Sequence, residues 1–82
     1  MFINRAPDGS NNVCGANIAH RRKKLKISQR ELSDRLQLVG LDIDKNAVQR
    51  IESGKRFVTD IELMGFARVF QVKVEELLEE KT

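Results

Sequence analysis

Between residues 28 and 62 the chain carries three polar helix-start signals, and they leave room only for short helices. Ser28 is followed three residues later by Glu31 and Thr59 by Glu62, the spacing of a capping box, while Asp44 stands ahead of Val48 and Ile51. A Ser, Thr or Asp oxygen at such a position accepts a hydrogen bond from a backbone N–H that the first helical turn leaves unpaired. Behind each signal the apolar residues return at helical spacing: Leu32 and Leu36, then Val48 and Ile51, then Leu63, Phe66, Ala67 and Phe70. Gly40 and Gly54 follow two of these runs, where a helix end often needs a left-handed residue. The chain is therefore expected to be all-α, with five short helices packed around one core.

The remaining elements follow from the same reading. A first helix begins near Asn12 and places Ile18, Arg22 and Leu25 on one face. The second runs from about Gln29 to Leu38 or Val39, with Leu32, Ser33 and Leu36 inward. A break at Gln71-Val72-Lys73 precedes a last turn or two carrying Val74, Leu77 and Leu78. Residues 1–13, with Pro7, Gly9, Ser10 and three asparagines, show no sustained period and are expected to form a flexible arm ahead of a domain over 14–82. At 82 residues, one domain is expected, burying only about 60% of its unfolded surface.

Composition excludes several classes of function. The lone cysteine, Cys14, has no internal partner for a disulfide, and with the lone histidine, His20, it gives too few ligands for a structural zinc site. Asp42-x-Asp44-x-Asn46 begins like a calcium loop, but Ala47 stands where glycine is needed and Ser53 where a glutamate should close the shell. No nucleophile comes with a base partner, so an enzyme is not expected and no cofactor is implied. No stretch approaches the roughly 20 apolar residues of a membrane span, and the N-terminus lacks the apolar centre of a secretory signal, so a cytoplasmic protein is expected.

Charge is distributed unevenly. Residues 1–58 hold 12 Lys/Arg against 6 Asp/Glu, whereas residues 59–82 hold 3 against 6. The basic excess coincides with the part of the chain that carries the helical motif, where it can serve as an electrostatic footprint for nucleic acid. If Val48 and Ile51 point inward, Lys45, Asn46, Gln49 and Arg50 face outward. Arginine can grip guanine O6 and N7, and asparagine or glutamine can grip adenine N6 and N7, each through two hydrogen bonds. The helix starts at Ser28-Gln29 and at Asp44 present free N–H groups suited to phosphate, and Lys55 and Arg56 follow Gly54 where a loop could clamp the backbone.

The series Ile18-x3-Arg22-x2-Leu25-x-Ile27-Ser28-Gln29-x2-Leu32-Ser33, then Val48-x2-Ile51-Glu52-x-Gly54-Lys55-Arg56, then Leu63-x2-Phe66-Ala67-x2-Phe70-x-Val72-x4-Leu77 resembles the Cro/repressor-type (Xre-type) helix-turn-helix family over roughly residues 15–78. The resemblance implies a lambda-repressor-like domain whose third helix, about 45–53, enters the major groove of double-stranded DNA. It implies base contacts from Lys45, Asn46, Gln49 and Arg50, phosphate contacts from Ser28, Gln29, Lys55 and Arg56, and an ion pair between Arg22 and Glu52. The activity implied is transcriptional regulation, as a repressor, by a homodimer on two half-sites. Leu77 and Leu78 either supply the dimer surface or finish the core. Two departures stand out: Ser33 occupies a position usually held by alanine, and about five extra residues within Gln37 to Ile43 extend the connection between helices 2 and 3. A second reading makes the same helical fold a protein-interaction module, an antitoxin or adaptor whose contact is the acidic tail Glu75-Glu76-Leu77-Leu78-Glu79-Glu80.

Overall fold

In the computed structural model, which describes residues 4–79, five helices follow in order: α1 (Gly15–Lys24), α2 (Gln29–Leu38), α3 (Lys45–Glu52), α4 (Asp60–Phe70) and α5 (Val74–Leu78). No strand occurs among the described residues. The three start signals act as caps. Ser28 Oγ accepts from the Glu31 N–H at 3.0 Å, Asp44 Oδ1 from Ala47 at 2.8 Å and Thr59 Oγ1 from Glu62 at 3.1 Å. Only at α4 is the box reciprocal, with Glu62 Oε1 accepting from the Thr59 N–H at 3.0 Å. The Glu31 carboxylate, expected to do the same for Ser28, makes no such bond and stays exposed.

Helical spacing sends one side chain per turn into a shared core. Ile18, Leu32, Leu36, Val48, Ile51, Phe66 and Leu77 are completely buried, each worth roughly 1.5–3 kcal/mol of apolar transfer. Leu77 thus finishes the core, while Leu78 stays exposed. Leu25 departs from expectation: it is half exposed, because α1 ends at Lys24 and Lys26 turns left-handed at φ 59°, which delivers Ile27 to the core instead. Ser33 is buried and its hydroxyl donates to the Arg30 carbonyl at 2.8 Å, so serine fits where α2 packs closely. Asn17, also buried, ties α1 to the chain end by donating Nδ2 to the carbonyls of Leu77 and Glu79, both at 2.8 Å.

The long connection between α2 and α3 is anchored at two points. Gly40, at φ 90°, ends α2, and the Leu41 N–H returns to the Leu36 carbonyl at 3.0 Å. Leu41 then lies against Gly65 of α4, where any Cβ would collide with it, and Ile43 is buried at 1% exposure. The extra residues form a braced bridge that leads α3 onto α2, against which it packs directly.

Gly15 opens α1 against the backbone of α3. A Cβ there would collide with the Ile51 carbonyl oxygen, and backbone cannot move aside as a side chain can. Helix propensity alone favours alanine over glycine by about 1 kcal/mol. Gly15→Ala is nevertheless expected to destabilise the fold by ~1–3 kcal/mol through overpacking, measurable by urea denaturation.

Candidate nucleic-acid interface

Helix α3 is amphipathic in the sense a reader of base edges requires. Val48 and Ile51 are fully buried, while Lys45, Asn46, Gln49, Arg50 and Ser53 are exposed on one continuous face. Among the described residues the side chains of Lys45, Asn46, Gln49 and Arg50 make no hydrogen bond or ion pair, so their donors and acceptors are open to an incoming partner. Asp44 caps this helix by accepting from the Ala47 N–H, which leaves the other N–H groups of its first turn without an intrahelical partner.

The pose of α3 is set by the Glu52 carboxylate at its last residue. Arg22 of α1 grips it from the side, Nε to Oε2 at 2.7 Å and Nη2 to Oε1 at 3.1 Å, while Nη1 donates to the Ile27 carbonyl at 2.9 Å. Gln29 Nε2, at the start of α2, donates to the same Oε1 at 3.1 Å. Side-chain exposure of the pair is 12% and 8%, so solvent screens it little. The strong hydrogen bond from Arg22 to Glu52, with their opposite charges adding to it, holds the guanidinium pKa above its usual value. Arg22 and Glu52 thus form the ion pair that the resemblance implied. Gln29, assigned to phosphate by the same resemblance, has its amide engaged by Glu52 while its backbone stays at the helix start.

After α3 the chain turns at Gly54, φ 78°, and leads out through Lys55, which is exposed with a free ammonium among the described residues. Arg56 stands differently from its phosphate assignment. Its guanidinium is bidentate on Glu62, 3.1 and 2.9 Å, and Nη1 also donates to the Phe57 carbonyl at 3.1 Å. The side chain expected to clamp phosphate here fastens the α3–α4 loop to the cap of α4. The Arg56 hydrogen bond is the main cause that keeps the Glu62 carboxyl below its ordinary value, helped by the Thr59 N–H against the cost of partial burial.

Sequence reasoning missed two residues that hold this loop. Asn12 donates Nδ2 to the carbonyls of Ile51 and Arg56 at 3.0 and 2.7 Å, and its Oδ1 accepts from the Gly15 N–H at 2.8 Å. Asn11 adds its N–H to the Gly54 carbonyl at 2.7 Å and its Nδ2 to the Lys55 carbonyl at 3.0 Å. Asn11 and Asn12, expected to belong to a flexible arm, thus cap the carbonyl end of α3, while residues 1–3 of that arm lie outside the described residues. The adjacent Asn-Asn pair ahead of a helix was the available signal, but its acceptors lie about forty residues away, beyond any local pattern. Cys14 beside it is 2% exposed, and burial pushes its thiol up to about 11, consistent with a packing role. No group of three or more possible metal ligands occurs among the described residues, and no helix there is long and apolar enough to cross a membrane.

Residues 18–77 match the family model described as Helix-turn-helix. Among solved structures, the P22 c2 repressor protein in complex with synthetic operator 9T in the presence of Tl+ has the same fold, with a TM-score of 0.71 at 24% identity, over 85% of this chain and 98% of that one. No curated protein matches the chain.

Two outcomes test this geometry. In a double-mutant cycle of Arg22→Ala and Glu52→Ala followed by denaturation, each single change should cost ~3 kcal/mol, because it leaves a poorly hydrated charge unpaired, and the two should couple by at least ~1 kcal/mol. Glu62 titrates with the sign of a depressed carboxylate: its contribution is present above the unfolded value of 4.5 and is lost as pH falls through the lower folded value. Glu62→Gln should therefore flatten the loss of stability between neutral pH and the acid range, read from melting curves at stepped pH.

Proposed function

Since the chain belongs to the helix-turn-helix family, we propose that it is a sequence-specific double-stranded DNA-binding transcriptional regulator, acting as a repressor in the cytoplasm, with no catalytic activity. The observation that carries this reading is the exposed, unengaged face of α3, with Lys45, Asn46, Gln49 and Arg50 on a helix whose other side is wholly buried. In the major groove those four side chains meet base edges, Arg50 and Lys45 favouring guanine and Asn46 and Gln49 adenine. Lys55, together with the backbone N–H groups where α2 begins at Ser28 and Gln29, fixes the register on phosphate. Arg56 reaches phosphate only by releasing Glu62, so its contribution is to hold the loop that carries Lys55. Likeness of fold to a repressor bound to a synthetic operator agrees with this mode of docking.

Selection from random double-stranded DNA by the purified protein, followed by sequencing, tests the reading: an enriched motif is expected, whereas recovery without enrichment would contradict base recognition. Complete absence of binding would favour the interaction module built on the acidic tail, whose Glu80 lies outside the described residues. On the selected site, Arg50→Ala should cost ~1–3 kcal/mol and relax preference at one base pair. Lys55→Ala should weaken all sequences alike and reduce the slope of log affinity against log salt by about 1.

A further inference from the structure

Pro7-Asp8-Gly9 is a turn sequence, in which proline presets its own φ and glycine accepts a left-handed one. The Gly9 N–H returns to the Ala6 carbonyl at 2.8 Å, Gly9 stands at φ 86°, and the Ala6 N–H meets the Ser10 carbonyl at 2.9 Å. Asp8 Oδ1 braces the turn by accepting from the Ser10 N–H at 3.0 Å and from the Ser10 hydroxyl at 2.6 Å. The chain ahead of the turn is thereby folded back beside Asn11, whose backbone N–H is fastened to the loop after α3. We propose that this turn makes Arg5 a further phosphate contact on double-stranded DNA, held beside Lys55 instead of carried on a free arm.

Two hydrogen bonds in line set that position. The Ser10–Asn11 peptide accepts from the Ala6 N–H on one side and, through the Asn11 N–H, donates to the Gly54 carbonyl at 2.7 Å on the other. The Arg5–Ala6, Ser10–Asn11 and Gly54–Lys55 peptides thus lie side by side, and at the ~4.8 Å spacing of hydrogen-bonded neighbours the outer two are about 10 Å apart. Asn11 Nδ2 adds a bond to the Lys55 carbonyl at 3.0 Å, and Ser10 packs on Gly54, where an added Cβ would meet the Ser10 Cβ at 2.7 Å. Arg5 is exposed, and its guanidinium makes no ion pair among the described residues. Asp8, the acid closest to it in sequence, has turned an oxygen onto Ser10. Phosphates recur along one DNA strand at about 3.4 Å of helix axis, so two long cationic side chains rooted roughly 10 Å apart suit phosphates a few steps apart on one backbone. Because the turn already fixes the backbone that carries Arg5, less ordering remains to be done on binding than for a free arm. The proposal rests on the DNA-binding reading of α3, and the turn itself does not.

Fluorescence anisotropy with the selected duplex and with a duplex of random sequence, each over a salt series, tests the contact. Arg5→Ala should weaken both complexes ~3- to 10-fold at low salt and lower the slope of log affinity against log salt by about 1. Gly9 separates a held arginine from a free one: a Cβ there meets no atom within 4 Å, so a substitution acts only through the left-handed backbone. Gly9→Val, β-branched and strained at that φ, should lose as much affinity as Arg5→Ala, and the double variant should lose no more than either alone. Gly9→Asn, which tolerates a left-handed φ, should keep the parent's slope. Without DNA, amide exchange at Ala6 and Asn11 should be slow in the parent and fast in Gly9→Val. An unchanged slope in Arg5→Ala overturns the proposal, as does a further loss from Arg5→Ala in the Gly9→Val background, or equal binding by Gly9→Val and Gly9→Asn. If Lys55→Ala lowers the slope and Arg5→Ala does not, only the Arg5 contact is rejected. A parent that binds neither duplex rejects the reading of α3 and the contact with it.

Discussion

The Glu52 carboxylate is where the arrangement of the first three helices is decided. It sits on the last residue of α3, at the negative end of the helix dipole, where an unpaired anion is unfavourable. Two donors from Arg22 and one from Gln29 offset that cost, and because they come from α1 and α2, meeting them requires all three helices to be in register. Arg22 extends the network into the α1–α2 turn through the Ile27 carbonyl. Apolar packing of Ile18, Leu36, Val48 and Ile51 brings these helices together and turns their apolar faces inward. The planar guanidinium, with its fixed fork of donors, narrows their relative placement further.

From there the loop beyond α3 is secured on both sides. Asn11 and Asn12 satisfy the carbonyls that the helix end leaves open, and Arg56 with Glu62 ties the following turn to the start of α4. Lys55 alone among the basic residues of this loop keeps its charge unengaged among the described residues. The basic excess of the first 58 residues is thus divided: Arg22 and Arg56 are structural, while Lys45, Arg50 and Lys55 face outward.

Much of the fold was legible because its signals are local. The caps at Ser28, Asp44 and Thr59, the glycines at 40 and 54 and the inward stripe of α4 each depend on residues within one or two turns. What escaped depends on distance or on competition between neighbours. Leu25 has the right spacing for the core, but the left-handed turn at Lys26 presents Ile27 first. Glu31 has the spacing for a reciprocal cap, yet it is solvated instead. The face of α3 was legible from Val48 and Ile51 alone, since burying two positions exposes the rest. The assignment of Arg56 was less so: a base after a glycine looks available until the acid six residues on is seen to fold back onto it.

The bridge between α2 and α3 carries a consequence for how such domains vary. With Leu41 wedged over Gly65 and Ile43 sunk into the core, the bridge behaves as a strut pinned at two joints instead of a hinge. The angle between the two helices is inherited from those pins and from Glu52. Residues inserted ahead of Leu41 would bulge into solvent and leave α3 where it is. Turn length in a chain of this kind is therefore a poor guide to how its third helix is aimed, and the pair of apolar anchors is a better one.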